Sequence, residues 1–134
     1  MGLVDHAIWW QVYPLGALGA PVLEREDGLH HRLERLEPWL DYVVELGCSG
    51  VLLGPIFAST AHGYDTTDHE RIDPRLGDDA DFDALVAGCK QRGLRIVLDG
   101  VFSHVGSGHP LVRQALQEGP TGPRAELFDI DIAL

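Results

Sequence analysis

An aspartate and a histidine follow a short apolar run in the C-terminal half of the chain. The run is Ile96-Val97-Leu98, which is typical of a buried strand. Asp99 comes where the strand ends, and His104 comes five residues later in the following loop. In α/β proteins with parallel sheets, functional side chains gather at the C-terminal ends of the strands. This placement predicts that Asp99 and His104 belong to a binding or catalytic site.

Two strands and a helix are predicted before this site. Residues 7 to 13 are rich in aromatic and β-branched side chains and predict a first strand. A helix follows from about 38 to 46, because Pro38 fits only the first turn of a helix. Gly47 then ends the helix in a left-handed conformation. Residues 51 to 53 are fully apolar and predict a second buried strand.

The same helix–glycine–strand order then occurs a second time. A second helix begins at Asp79 or Asp81 as its capping residue and ends at Gly93, and Arg95 opens the third strand. The helix keeps one apolar face, formed by Phe82, Leu85, Val86 and Cys89. Buried strands that alternate with helices indicate parallel pairing through right-handed crossovers, and hence an α/β fold.

The remaining segments are predicted mainly as loops. Residues 15 to 29 and the polar stretch 56 to 79 each follow a strand and are long enough to carry function. A short helix is expected near residues 111 to 118. Residues 127 to 132 alternate apolar and acidic side chains, which favours an edge strand.

Length and charge limit the function classes. The 134 residues predict one domain, and the formal charge of −11 comes from 21 acidic against 10 basic residues. The basic residues are scattered, whereas phosphate binding needs a clustered positive surface, so no nucleic-acid partner is expected. The N-terminus has neither a signal-peptide pattern nor an apolar stretch long enough for a membrane span. We therefore expect no membrane partner and a cytoplasmic location.

The cysteines and histidines give no firm metal motif. Cys48 and Cys89 lie near the ends of the two predicted helices and are expected to be small buried thiols without a disulfide. His62, His69 and His109 lie in polar loops. A metal cluster formed by them is one interpretation, and separate solvated histidines are the favoured one.

Four segments together resemble the α-amylase superfamily, glycoside hydrolase family 13. IWWQVYP resembles the family's first strand, GVLLGPIF its second, HGYDTTDHERIDPRLGD the loop that lines the sugar site, and DGVFSHVG its first signature motif. The similarity covers about residues 7 to 106. It implies an incomplete (β/α)₈ TIM barrel, with residues 1–106 as its first three parallel strands and their helices. Residues 107–134 would begin the excursion after strand three.

The resemblance also implies roles for four residues. Tyr64 would stack against the sugar in the central subsite, since the C–H face of a sugar is apolar and lies well on an aromatic ring. His104 would hydrogen-bond a hydroxyl of the same sugar, and Asp99 would orient neighbouring groups beneath it. Asp65 would help to shape the pocket. For each of these four side chains, the open alternative is a structural role in capping or loop packing.

Two departures from the family pattern limit what can be carried over. Ser103 stands where the family usually has an Asn that contributes to a structural calcium site, and a serine hydroxyl is a poorer ligand for calcium. The family's catalytic carboxyl groups sit on strands four and five, with a third acid on strand seven. No such strands are predicted here. We therefore assign no catalytic residue, no metal and no cofactor.

The resulting hypothesis is a fragment of an α-glucoside-acting glycoside hydrolase or transglycosylase. The full-length parent would use a retaining mechanism on an α-glucan or small α-glucoside, and the isolated chain is expected to be inactive. Three strands leave two unpaired edges, which favours self-association or a complementing C-terminal fragment. The alternative is a non-catalytic carbohydrate-binding or assembly module. An unrelated three-stranded parallel α/β domain with a metal or phosphate site is disfavoured, since neither β/α turn carries a glycine-rich phosphate loop.

Overall fold

The computed structural model describes residues 2–129. The strands are β1 (Trp9–Val12), β2 (Gly50–Leu53), β3 (Phe57–Ser59), β4 (Thr66–Ile72) and β5 (Arg95–Leu98). The helices are α1 (Pro14–Ala17), α2 (Glu37–Glu45), α3 (Asp79–Gln91) and α4 (Pro110–Glu118). Short 3₁₀ turns occupy Leu3–Asp5, Leu33–Leu36 and Ala125–Leu127.

Three parallel strands form the main sheet, in the order β1-β2-β5. Trp9 pairs with Gly50 at one end and Val12 with Leu53 at the other. β2 pairs with β5 in the same way, from Gly50 opposite Arg95 onward. The predicted parallel α/β arrangement of the first three barrel-type strands is therefore confirmed within the described residues.

The core lies between this sheet and the helices α2 and α3. Almost completely buried side chains from the sheet, the 3₁₀ turn before α2 and α2 itself include Leu33, Leu36, Leu40, Val43, Val51 and Leu53. Both helices are followed by a glycine in the left-handed region, Gly47 with φ +76° and Gly93 with φ +69°. This conformation favours glycine, so the predicted helix ends are confirmed.

The capping residue of α3 lies before both predicted candidates. The capping residue is Asp78, not Asp79 or Asp81. The Asp78 side chain accepts a hydrogen bond from Asp81 N–H, and the Asp81 carboxylate accepts one from Asp78 N–H. Asp81 thus completes a reciprocal capping box from inside the first turn.

The sequence predicts a loop from 56 to 79, but this stretch contains regular structure. β3 and β4 form an antiparallel hairpin inside it, with Ser59 opposite Thr66. β4 has the sequence TTDHERI, in which only Thr66 and Ile72 are buried. β4 is stabilised by its pairing with β3 and does not bury one apolar face. Its sequence therefore lacks the apolar alternation by which a strand is predicted.

The C-terminal part confirms the short helix, α4. The predicted edge strand from 127 to 132 is absent from its described part, since Ala125–Leu127 is a 3₁₀ turn and Phe128 and Asp129 are irregular. Residues 130 to 132 of that prediction lie outside the described residues. Among residues 2–129, no helix is both long and apolar enough to cross a bilayer.

Candidate functional site

The candidate site forms at the C-terminal ends of β1, β2 and β5. Strand pairing continues one residue past these ends, because Gly54 N–H donates to Val12 O (2.8 Å) and Asp99 N–H donates to Leu53 O (3.0 Å). The backbone of Asp99 is thereby fixed on β2, and its half-buried side chain lies at the sheet edge where the sequence placed it.

Tyr64 lies in the turn of the β3–β4 hairpin and reaches the same edge. Its ring stacks on that of Tyr13, with 6.4 Å between the ring centroids. Tyr13 follows β1 directly, and its hydroxyl donates to His62 O at 2.7 Å. Partial burial and the nearby Asp99 carboxylate raise the pKa of Tyr64 above that of a free tyrosine. The structure therefore brings Tyr64 and Asp99 together, and 40% of the Tyr64 surface stays exposed for a ligand.

Asp65 acts first on the turn that carries Tyr64. Its Oδ2 accepts a hydrogen bond from Ala61 N–H at 2.9 Å. Its Oδ1 is buried, has no hydrogen-bond partner among the described residues and lies 3.6 Å from His62 Nδ1. Asp65 thus holds the turn shape with one oxygen, while the other makes no hydrogen bond among the described residues.

His104 stands apart from the hydrogen bonds and ring contacts of the other three predicted residues within residues 2–129. It is exposed, and its Nδ1 lies 3.1 Å from Ser103 Oγ. Within the described part of the chain, no hydrogen bond or ring contact joins His104 to Tyr64, Asp65 or Asp99. Its predicted role toward a sugar stays a prediction.

The loop from 99 to 106 is attached to the hairpin at two points. Gly106 N–H donates to Thr66 O at 2.8 Å, and His69 Nε2 lies 2.9 Å from Val101 O. A side chain at position 106 would put its Cβ 2.4 Å from Asp65 O. The loop can approach the Tyr64 turn this closely because residue 106 is a glycine.

Sequence reasoning missed a buried ion pair behind the Tyr64 turn. The Arg75 guanidinium donates to both Asp73 oxygens, at 2.9 and 2.7 Å, and to Ser59 Oγ at 3.0 Å. Ser59 Oγ in turn accepts the N–H of Gly63, the residue before Tyr64, at 3.0 Å. The hydrogen bonds that Arg75 donates to Asp73 raise the pKa of the Arg75 guanidinium above its ordinary value. The sequence D-P-R at residues 73 to 75 contains no local signal that indicates the contact with Ser59.

In the part of the chain that the structure describes, the ligand atoms of His62, His69 and His109 do not converge, so the metal cluster that the sequence analysis disfavoured is not formed by them. His69 and His109 have ring centroids 5.8 Å apart, but His69 faces Val101 O and the ring of Phe102. Among residues 2–129, the three side chains whose ligand atoms converge are His31, Glu34 and Asp81, which belong to other elements.

Comparison with known proteins gives a consistent result. A family model for the catalytic domain of α-amylase matches residues 33–128. An intracellular maltogenic amylase from Bacillus subtilis is 34% identical over an alignment of 142 residues, which covers 95% of this chain and 24% of that protein. A trehalose-6-phosphate hydrolase from Escherichia coli is 42% identical over 81 residues, covering 59% of this chain and 15% of that protein.

Solved structures agree with the sequence relatives. The ligand-free cyclic α-maltosyl-(1→6)-maltose hydrolase from Arthrobacter globiformis superimposes with a TM-score of 0.76 and 29% identity. The superposition covers 96% of this chain and 32% of that one. This chain spans about a quarter of the length of the curated relatives that align over nearly all of it.

Proposed function

Because this chain belongs to the α-amylase catalytic-domain family, we propose that it supplies part of the sugar-binding floor of an enzyme that acts on α-glucosides. The observation that carries the proposal is the convergence of Tyr64 and Asp99 beside Tyr13 at the C-terminal edge of the parallel sheet. A partly exposed tyrosine ring over a carboxylate suits a sugar, whose apolar face stacks while its hydroxyls hydrogen-bond.

The proposed reaction of the complete enzyme is retaining hydrolysis of, or glycosyl transfer from, an α-glucan or small α-glucoside. That mechanism requires two carboxyl groups about 5 to 5.5 Å apart. The family resemblance implies that they lie on barrel strands beyond the three described here. The isolated chain is therefore proposed to bind and position sugar without cleaving it. The name of the Bacillus subtilis relative, an intracellular enzyme, supports a cytoplasmic setting.

The open edge of β5 supports a further part of the proposal, which is that the sheet continues in more polypeptide. An apolar groove of about 690 Å³ runs along β5 and the adjacent face of α3; among its lining residues are Trp9, Phe82, Val86, Ile96 and Leu98. Apolar surface of this kind favours association. We expect the isolated chain to self-associate or to bind a complementing C-terminal barrel fragment. A sharp monomer in light scattering together with a cooperative melt would contradict this expectation.

The functional test compares two tyrosines of similar exposure. The purified chain is incubated with p-nitrophenyl α-maltoside and, separately, titrated with maltotriose by NMR. We expect no p-nitrophenol release above the buffer blank. We expect weak maltotriose binding that disappears in Tyr64→Ala and persists in Tyr42→Ala, since Tyr42 is 44% exposed on α2.

The other outcomes are equally informative. Turnover by the isolated chain would show that it holds a catalytic pair and would refute the proposed division of labour. Tight saturable binding that depends on Tyr64 would favour a non-catalytic carbohydrate-binding module. Binding that is equal in Tyr64→Ala and Tyr42→Ala would remove Tyr64 from the site.

A further inference from the structure

We propose that His31, Glu34 and Asp81 form a binding site for a divalent transition-metal ion of the Zn²⁺ type. One ligand atom from each of these side chains lies within 4.8 Å of the other two. His31 precedes the 3₁₀ turn Leu33–Leu36, Glu34 lies in that turn, and Asp81 lies in the first turn of α3. The ion would therefore join two elements that are packed against each other but are far apart in sequence.

The ligand set contains one rigid member and two adjustable ones. Asp81 is 7% exposed, and its carboxylate is held by Asp78 N–H at 2.9 Å. His31 and Glu34 are exposed, and His31 Nδ1 lies 2.8 Å from Asp81 Oδ2. Tetrahedral Zn²⁺ with bonds of about 2.0 to 2.2 Å needs ligand atoms roughly 3.3 Å apart. A small displacement of the exposed imidazole opens this spacing without disturbing the buried carboxylate.

The backbone around His31 is already fixed. His30 N–H donates to Pro74 O at 2.8 Å, and Leu33 N–H donates to Leu76 O at 2.9 Å. These two bonds bracket His31 and tie its segment to the turn that leads into α3. A preorganised backbone lowers the entropic cost of bringing the imidazole to an ion.

Charge and space favour a divalent cation at this position. Three carboxylates, those of Asp81, Asp78 and Glu34, lie near the single imidazole of His31. A groove of about 410 Å³ between the 3₁₀ turn and α3 is lined by Glu34 and Asp81, among other residues, and leaves room for water as the remaining ligand.

The donor atoms select the class of metal. One imidazole nitrogen and two carboxylate oxygens suit Zn²⁺, Co²⁺ or Ni²⁺. Mg²⁺ and Ca²⁺ prefer sites made entirely of oxygen ligands. We therefore expect selectivity for the transition metals, with an open position for water.

The test is a titration of the chelator-treated chain with zinc chloride, followed by calorimetry and by the melting temperature Tm. We expect one equivalent of Zn²⁺ to bind and Tm to rise until the site is saturated, since an ion that binds only the folded chain stabilises it. Magnesium chloride at the same concentration should leave Tm unchanged. In the Co²⁺-loaded chain, the visible absorption bands should report nitrogen and oxygen coordination.

The matched variants are His31→Gln and Glu34→Gln, with His30→Gln as the control. All three positions are at least partly exposed, so folding is not at risk, and His30 lies next to the site but faces Glu26 and Asp27 O. We expect His31→Gln and Glu34→Gln each to weaken Zn²⁺ binding at least tenfold and to abolish the Tm shift, while His30→Gln changes neither. The proposal is overturned if no stoichiometric binding occurs, or if His31→Gln binds Zn²⁺ as the unaltered chain does.

Discussion

Two layers of this molecule are held together in different ways. The apolar layer is built on β1, β2, β5, α2 and α3. Most of its buried side chains, such as Leu40 and Leu53, are aliphatic, and aromatic rings such as that of Trp10 pack against them. The polar layer consists of the β3–β4 hairpin, the turn 73 to 76 and the loop 99 to 106. Directional hydrogen bonds hold it, including those of Arg75 and Gly106.

The difference separates fold from site shape. Burial of aliphatic surface is non-directional and tolerates exchange of side chains of similar volume. Hydrogen bonds and close backbone approaches depend on individual atoms. The apolar layer therefore decides that the strands are parallel, whereas the polar layer decides where Tyr64 points. Mutations in the two layers should differ in kind, and four of them test this.

The largest effect is expected from Arg75→Met in the polar layer. The Arg75 side chain is 4% exposed, and its removal leaves the buried Asp73 carboxylate without a counter-charge. Breaking a buried ion pair costs about 3 to 5 kcal/mol. Urea unfolding should show a loss of this size. The NMR signals of the Tyr64 ring should shift, because Ser59 Oγ, which accepts the N–H of Gly63, loses the hydrogen bond that Arg75 donates to it.

The matched control is Arg71→Met, at an exposed arginine on β4. It should change the free energy of unfolding by less than about 0.5 kcal/mol. A loss below about 1 kcal/mol for Arg75→Met would mean that the polar layer is not held by this pair.

The next largest effect is expected from Leu53→Ala in the apolar layer. Leu53 is completely buried, and a Leu→Ala change in a core costs about 3 kcal/mol. Urea unfolding measures this loss, with Leu23→Ala as the control because Leu23 is 79% exposed. The comparison becomes sharper if Leu53→Ala leaves the Tyr13–Tyr64 NOE intact while Arg75→Met alters it. If both variants disturb that NOE equally, the two layers are not separable.

The same division explains what the sequence could predict. The run from 51 to 53 is continuously apolar, and the apolar face of α3 follows the helical period. Gly47 and Gly93 mark the helix ends. The parallel fold was therefore predictable. Six of the seven residues of β4 are polar, and β4 is paired only with β3. Its sequence therefore had no hydrophobic period from which a strand could be predicted. The capping residue is Asp78 and not the predicted Asp79 or Asp81. Three aspartates lie within four residues, so the sequence alone did not distinguish them.

The candidate site was predictable to a similar extent. Asp99 was found because a strand end is visible in sequence, and Tyr64 because its segment resembles a known family. The partners of Arg75 were not predictable, since the Pro21 carbonyl to which it donates is 54 residues away and Ser59 is 16 away. Such contacts depend on tertiary structure that brings distant segments together.

A smaller effect is expected from Gly106→Ala. The added Cβ would lie 2.4 Å from Asp65 O, so the loop or the turn must move apart. Forced displacement of this kind costs about 1 to 3 kcal/mol. Gly108→Ala is the control, because its Cβ would meet Thr67 Cγ2 at 3.4 Å, an ordinary contact. Urea unfolding of both variants decides the matter, and equal stability would contradict the close approach seen at Gly106.

The smallest effect is expected from Tyr13→Phe, which removes one hydroxyl where the two layers meet. The ring still stacks on Tyr64, but the 2.7 Å hydrogen bond to His62 O is lost. One neutral hydrogen bond contributes about 1 kcal/mol. Urea unfolding should show that loss, and Tyr42→Phe should show almost none, since no hydrogen bond of the Tyr42 hydroxyl occurs among the described residues. If instead maltotriose binding weakens while stability is unchanged, then Tyr13 acts on the Tyr64 turn only when sugar is present. The contact between the two layers at Tyr13 would then depend on the bound sugar and not on the fold alone.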